Sequence, residues 1–586
     1  MTTSTANRVR AASLADLQKV GCMSVRVDGH TLALYLYDGE VYAVDNRCPH
    51  MGFPLSKGSV HDGILTCYWH YARFDLQTGG TFDLWADDVR TFPAEVLDGD
   101  IWIDLTPHAN PQEHYRARLH DGLERDISLV IAKSAINLLE AGEDPATPFK
   151  TGLDFGTEYR VEGWGQGLTI HTAMMNLLPH LATEDRPRAL YHGLSAVASN
   201  SSGSAPRFLV RPLPNAPTDL DTLKRWFRRF IEVRDSEGAE RCIISAIEAG
   251  ATPAQMADML FAAATDHRYI STGHPLDFTN KAFEALDIAG WGQAGQILTS
   301  LVNGYASADR AEESNAWRNP IDLIAILEAT FEALPDALEA GRSKRGRWAG
   351  HGALVNTLLA DDPQATADSL LQAIRDGAEE DELAGVVAYA AARRIAHFHI
   401  SNEFGDWDTA LHTFTFANAV HQGLRRFPSS ELLRGVFDAA MSVYLDRFLN
   451  IPSTPLPRPS GRTEDPEELL AELTLLLNRQ QQVNEAGDLV MRFLASGGSA
   501  ERLKATLGRL LLREDRDFHT IQCVEAAFRQ SELLNSLPEL AHVMVAAVRY
   551  LAAHAPTMRA QGQTYQIAYR LSRGERLFED DAETEG

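Results

Sequence analysis

The sequence predicts a multidomain protein: a small all-β domain over residues 1–108 followed by a large all-α domain over residues 109–586. Two changes along the chain carry this reading. Runs such as Thr31–Tyr37 and Asp100–Leu105 alternate apolar and polar residues between Gly-containing turns, the period of half-buried strands. Past residue 110 the alternation gives way to helical periodicity dense in Ala, Leu and Glu. A chain of 586 residues is long for one domain, and 45% hydrophobic residues can fill a sizeable core.

Within the helical part, Ser369–Ile395 and Leu432–Leu449 read as helices with Ala-rich buried faces. The Ser- and Pro-rich stretch Ser199–Pro217 and the Pro-rich stretch Ile451–Pro466 read as loops. Ala246–Ala251 is echoed at Ala373–Ala378, which suggests a duplicated helical unit.

Composition excludes several classes. A net charge of −26 argues against nucleic acid, whose phosphates need a basic surface. The basic run Arg225–Arg229 fits the solvated face of an amphipathic helix. No apolar run approaches the ~20 residues of a membrane span. Met1–Arg8 has no apolar segment of a secretory signal, so a cytoplasmic location is expected. Cys22, Cys242 and Cys523 are scattered, which is no disulfide framework and fits a reducing compartment. The acidic end from Phe578 reads as a solubilising tail.

The most informative residues are Cys48-Pro49-His50 and Cys67-Tyr68-Trp69-His70, with 16 residues between the pairs. Cys2His2 sets also bind zinc, but zinc fingers pair Cys with Cys and His with His, whereas each pair here mixes the two. The pattern resembles Rieske [2Fe–2S] ferredoxins and the Rieske domains of oxygenases. That resemblance implies thiolates of Cys48 and Cys67 on one iron and imidazoles of His50 and His70 on the other. Such ligation raises the reduction potential above that of an all-Cys cluster. The resemblance also implies a reductase or ferredoxin as electron donor. Neither loop has the extra Cys of the respiratory type: Met51-Gly52 and Tyr71-Ala72 follow the histidines. Tyr71 stands where oxygenase-type loops commonly carry Gly.

The helical region lacks the Asp/Asn-x-x-His-x-x-x-x-His signature of ring-hydroxylating oxygenases. It offers histidines in apolar surroundings instead. Asp408 precedes His412 by one helical turn, and Asp515 precedes His519 by the same spacing. Imidazoles that bind metals usually donate their other N–H to a carboxylate, so Asp408 and Asp515 are candidate catalytic residues beside candidate ligands. His421 points away from His412 on the same helix. Asp515, His519, Gln522 and Glu525 form a polar stripe, which on its own reads equally as a solvated face. His274, just before Pro275, begins another helix, and His171 lies in a further one. A single histidine of this kind reads as a hydrogen-bonded structural residue; four together suggest a metal. His397, His399 and His267 are candidates for supporting contacts, and Glu403, Asp408 and Glu525 for a carboxylate ligand.

Taken in order, His171, Gly273-His274-Pro275-Leu276, His412-Thr413-x-Thr415 and Asp515-x-x-Phe518-His519-x-x-Gln522-x-x-Glu525 resemble the questin-oxidase-like family across roughly residues 150–570. The resemblance implies a mononuclear non-haem Fe(II) held by His171, His274, His412 and His519, with His180 or His192 as competitors for the place of His171. It also implies O2 as cosubstrate and oxidation of a small apolar aromatic or quinone-like metabolite. The alternative is a Rieske electron-transfer protein whose helical part docks a partner and holds no second metal. A redox sensor is a third reading. Self-association is left open.

Overall fold

The computed structural model describes residues 8–106, 111–215, 219–459, 461, 463–534, 536–575 and 577. The expected domain boundary at 108 and the acidic tail from Phe578 lie outside the described residues. The chain forms two compact units, Met1–Pro148 with Ala560–Gly586, and Phe149–Arg559.

The first unit is built on three antiparallel sheets. Strands β1 (Arg8–Ser13), β2 (Cys22–Val27), β3 (His30–Tyr37) and β4 (Glu40–Asp45) come first. The short β5 (Ser59–His61), β6 (Ile64–Thr66) and β7 (Arg73–Asp75) follow, then β8 (Thr91–Phe92), β9 (Ala94–Leu97) and β10 (Asp100–Asp104). The sheet orders are β1-β10-β9, β2-β3-β4-β8 and β5-β6-β7. Alternation in β3 sends Leu32 and Leu34 into a core with Leu17, Phe92, Ile101 and Ile103, while Ala33 and Tyr35 enter a second core with Leu55, Leu65 and Phe74. Cys48 and Cys67 belong to that second core. Helices Pro111–Glu124, Ser128–Glu140 and Ala560–Ser572 complete the unit. Lys133 and Arg118, both buried, converge on the buried carboxylate of Asp87 at 2.9 and 3.0 Å. Burial alone would raise the Asp87 carboxyl; the Lys133 charge and the His114 hydrogen bond hold it well below its usual range.

The second unit is helical throughout its regular structure among the described residues. Helix Phe404–Arg426 packs against Glu380–Ala396, His274–Ala289 and Phe518–Ser531. Polar groups buried at these interfaces are paired: Lys281 lies between Glu284 (2.9 Å) and Glu525 (2.7 Å), and Asn176 donates to both carboxylates. Helix Leu220–Glu232 buries Leu223, Phe227 and Ile231, so Arg225, Arg228 and Arg229 lie on the polar side of an amphipathic helix while Phe227 faces the core.

Two helix expectations change in detail. Ser369–Ile395 is divided between helices Pro363–Arg375 and Glu380–Ala396, because Gly377 takes φ +92° and stops the first. The echoed segments end two helices in the same way. Ala251 N–H and Gly250 N–H donate to Ala246 and Ile247, as Ala378 N–H and Gly377 N–H do to Ala373 and Ile374. A Schellman cap asks for Gly at that position, so the similarity is explained by helix termination without a duplication. Leu432–Leu449 runs as helix Ser430–Leu445 and a 3₁₀ turn, Asp446–Asn450. Ser199–Ser201 still belongs to a helix, and Pro466 opens one. No described helix is long and apolar enough to cross a membrane.

Candidate metal centres

The two Cys-His loops of the first unit share one hydrogen-bond plan. Cys48 N–H donates to Phe53 O at 2.8 Å and Gly52 N–H to Cys48 O at 2.7 Å. In the loop joining β6 to β7, Cys67 N–H donates to Ala72 O at 2.8 Å and Tyr71 N–H to Cys67 O at 2.9 Å. The turns close through matching left-handed residues, Gly52 at φ +76° and Tyr71 at φ +62°. Tyr71 therefore does a glycine's conformational task with a side chain that projects into solvent.

The closed turns aim backbone N–H groups at sulfur: those of His50 and Met51 at Cys48, those of Trp69 and His70 at Cys67. A hydrogen bond between the thiols pushes Cys48 up and Cys67 down to about 6. The rings of His50 and His70 are 4.8 Å apart, and Trp85 meets His50 edge-on at 4.6 Å. The buried Nδ1 of His50 has no hydrogen-bond partner, which suits a metal-facing nitrogen. Burial, then the neighbouring His70, lowers His50 to about 4, so its ring is neutral. Among the described residues only one group of three or more His, Cys, Asp or Glu has ligand atoms all within 4.8 Å of each other, and it contains none of these four. Two mixed pairs that do not close on one ion fit a two-iron cluster and not a zinc ion.

That single group is His274, His412 and His519, from three helices of the second unit. His274 opens its helix after a run of left-handed residues: Tyr269, Ser271 and Thr272 at φ +39°, +40° and +53°, then Gly273 at +91°. Non-glycine residues in this region cost about 1–3 kcal/mol each, and here partners fix them. Ser271 N–H donates to Asp309 O at 2.7 Å, and Asp309 N–H to Ser271 Oγ at 2.9 Å. A β-carbon on Gly273 would meet Phe416 at 2.7 Å. The result is that His274 Nδ1 lies 3.0 Å from the Ser271 carbonyl, which only accepts; the proton therefore sits on Nδ1 and Nε2 is a bare acceptor.

The same logic applies to the other two. The backbone carbonyl of Asp408 accepts from the His412 ring, and the Asp408 carboxylate lies 3.7 Å from His519 Nδ1 while accepting from Tyr550 Oη at 2.8 Å. Nε2 of His412 and Nε2 of His519 are left facing each other at 3.1 Å. A carboxylate beside His519 Nδ1 favours the tautomer that leaves both Nε2 atoms unprotonated, and two such acceptors at this distance are reconciled by a cation between them. Ligands about 2.1 Å from one ion are about 3.0–3.4 Å apart in octahedral or tetrahedral geometry. Burial, then the neighbouring His274 and His519, lowers His412 to about 3, and burial lowers His274. Both rings are thus held in the neutral form that ligation requires.

Several expectations are corrected. His171 is not in the group: it is fully buried, donates through Nε2 to Phe149 O at 2.8 Å and stacks on the Phe149 ring. Its ring fits between Gly152 and Gly193, where added β-carbons would come within 2.6 and 2.7 Å of it. Neither proposed replacement joins the group, as His180 lies 3.3 Å from Glu501 and 3.1 Å from Glu532, and His192 is buried beside Tyr191. Asp515 does not serve His519, which takes its carboxylate from Asp408 on a different helix; Asp515 N–H instead donates to Met558 O. Glu525 is taken by Lys281 and Asn176, and Glu403 caps the start of helix Phe404–Arg426. His397, His399 and His267 bind Thr454, Ser401 and Glu312. The supporting Ser271 and Tyr550 carry no local sequence signal and were not anticipated.

A cavity of about 460 Å³ opens beside His412, walled by Tyr269, Trp317, Leu323 and Phe448, with Ser442 and Asp446 among its polar groups.

The β fold and its paired Cys-His loops define an iron–sulfur protein of the Rieske type. The model of the Rieske [2Fe-2S] domain family matches residues 7–93. The chain is 32% identical over 99 residues to the naphthalene 1,2-dioxygenase system ferredoxin component of Pseudomonas putida, covering 17% of this chain and 95% of that one. It is 38% identical over 108 residues to the 3-phenylpropionate/cinnamic acid dioxygenase ferredoxin subunit of Escherichia coli K12, covering 18% and 99%. Among solved structures, the ferredoxin of carbazole 1,9a-dioxygenase from Nocardioides aromaticivorans IC177 is 28% identical, covering 17% of this chain and 98% of that chain, with a TM-score of 0.16. Through its N-terminal domain the chain belongs to the Rieske [2Fe–2S] family, and that domain is an electron-transfer module of the ferredoxin type.

Proposed function

We propose that the chain is a Rieske-dependent oxygenase: its first unit receives electrons from a reductase or ferredoxin, and its second unit holds a mononuclear iron that acts with O2 on a small aromatic or quinone-like metabolite. The observation that supports this most directly is the approach of two imidazole Nε2 atoms to 3.1 Å, with a third histidine beside them. Cys48, His50, Cys67 and His70 would hold the cluster, which supplies one-electron transfer when bound. His274, His412 and His519 would hold the iron on one face and leave positions open, as in non-haem iron sites that activate O2. Ser271 and Asp408 fix the tautomers that keep Nε2 free. The cavity beside His412 has the size and apolar walls of a small-molecule site, with Trp317 and Tyr269 positioned to cover an aromatic ring.

A second reading, an electron-transfer protein without the second metal, is favoured by one feature. Around the exposed His70, Tyr68, Trp69 and Tyr71 are 54%, 41% and 68% exposed, an aromatic surface suited to partner docking. Iron and sulfide analysis separates the two. The oxygenase reading expects about three irons and two sulfides per chain, with His412→Ala removing one iron and leaving the sulfide unchanged. About two irons in both proteins would refute it.

A further inference from the structure

The cluster-bearing loop Cys48–Phe53 is contacted by a helix that the Rieske family match does not include. That match ends at residue 93, and the ferredoxin relatives are spanned almost completely by 99 to 108 residues. Helix Ser128–Glu140 lies beyond this. Its inner face is apolar, with Val130, Ile131, Ala135 and Ile136 buried, yet Lys133 is buried among them at 8% exposure. Burying an ammonium costs several kcal/mol unless its charge and its N–H groups are met. Two partners meet it. Lys133 Nζ donates to Asp87 Oδ2 at 2.9 Å and to the carbonyl of Pro49 at 3.1 Å. Pro49 is the residue between Cys48 and His50.

The second cation of the same network holds the segment around Trp85. Arg118, on helix Pro111–Glu124, donates to Asp87 and also to the carbonyls of Leu84 and Ala86. These flank Trp85, whose ring lies against His50. The arrangement is an oriented charge cluster: the Lys133 ammonium touches the ligand loop, and the Asp87 carboxylate that it shares with Arg118 stands behind. Reduction adds one negative charge to a Rieske centre, and a cation held on the ligand loop in a buried setting favours the more negative state.

We propose that Lys133 sets the reduction potential of the [2Fe–2S] cluster by holding its ammonium on the carbonyl of Pro49, with Asp87 as the counter-charge that positions it. This rests on the Rieske assignment and is independent of the three-histidine centre. Lys133 acts as a positioning residue, through the loop and not on any substrate.

The test uses the full chain with cluster loading checked by visible absorption and sulfide content, followed by anaerobic redox titration. Lys133→Met removes the cation held on the ligand loop and leaves Asp87 with Arg118, and is expected to make the cluster harder to reduce. Asp87→Asn leaves the ammonium unbalanced and is expected to make it easier. Each shift should be about tenfold in the reduced-to-oxidised ratio at fixed potential, or about 59 mV for one electron. The double variant, which removes both charges, should fall between the two. Opposite signs are the signature of charge; a role confined to packing moves both variants the same way or neither. Shifts below about threefold, or of the same sign, overturn the proposal. If Lys133→Met fails to retain the cluster, the Asp87→Asn shift decides alone, an upward shift supporting the proposal and any other result overturning it. Should the unaltered protein hold no cluster, the Rieske assignment fails first, and this proposal with it.

Discussion

Asp408→Asn is the substitution that most sharply tests the second metal centre, because it changes charge and leaves shape. The Asp408 carboxylate has two contacts, Tyr550 Oη at 2.8 Å on Oδ1 and His519 Nδ1 at 3.7 Å on Oδ2. An amide retains the oxygen for Tyr550 and places an N–H₂ where Oδ2 faced the ring. Two donors then oppose each other, and the imidazole is relieved by moving its proton to Nε2, the atom that must bind metal. The backbone carbonyl of Asp408 is untouched, so His412 keeps its own support. Loss of such an outer partner weakens metal binding about 10–100-fold, or about 1.4–2.8 kcal/mol. The 3.7 Å separation is longer than a hydrogen bond, which places the expectation near tenfold. Equilibrium dialysis against Co(II), with bound metal counted by elemental analysis, gives the affinity. His412→Ala, which deletes a ligand, should lose more than Asp408→Asn does. Binding within twofold of the unaltered protein in Asp408→Asn would refute the orienting role; unchanged binding in His412→Ala would refute the centre.

Three further outcomes are expected. Lys281→Met removes the ammonium shared by the buried Glu284 and Glu525, leaving them only Arg529 and Asn176, and should destabilise the protein by about 3 kcal/mol; an unmoved denaturant midpoint would contradict this. Gly193→Ala drives a methyl to within 2.7 Å of His171 Nδ1 and should cost about 1–3 kcal/mol through overpacking, read as a lower urea midpoint. Burial lowers His171 and His421 from 6.5 to about 4, so below pH 6.5 the unfolded chain takes up protons that the folded one refuses. Stability should therefore rise with pH between about 4 and 6.5 and level off above, by up to about 3 kcal/mol per histidine. Urea midpoints at pH 5 and 7 report it, and a slope that His421→Gln leaves unchanged would exclude His421 as a source.

What was legible in the chain follows the range over which each signal acts. The paired loops could be read because ligand, turn and turn-closing residue all fall within six positions, from Cys48 to Phe53 and from Cys67 to Ala72. His274, His412 and His519 were legible only as a set of apolar-helix histidines, a criterion that His171 meets equally well. What separates His171 is a pair of glycines and a carbonyl from neighbouring helices, none of it encoded near residue 171. The spacing Asp-x-x-x-His selected a useful residue for the wrong reason. Residues four apart share a helix face, so Asp408 was assigned to His412, whereas its side chain crosses to His519 and only its carbonyl serves His412. Lys133 gave no signal, since a lone Lys in an apolar helix reads as a surface residue until its partner 46 positions away is in place.

The discontinuity of the first unit bears on how the protein is made. Its last helix, Ala560–Ser572, follows Phe149–Arg559, so about 400 residues are synthesised between Pro148 and the segment that finishes the unit. At 5–20 residues per second that interval is roughly 20–80 s. Throughout it, the nascent β domain has both cysteines available while the face of Ser128–Glu140 that receives Ala560–Ser572 is still uncovered. The ribosome thus imposes an order: the loops exist long before the unit that encloses them is whole. Cluster insertion on the nascent chain and insertion after release would consequently meet two different substrates.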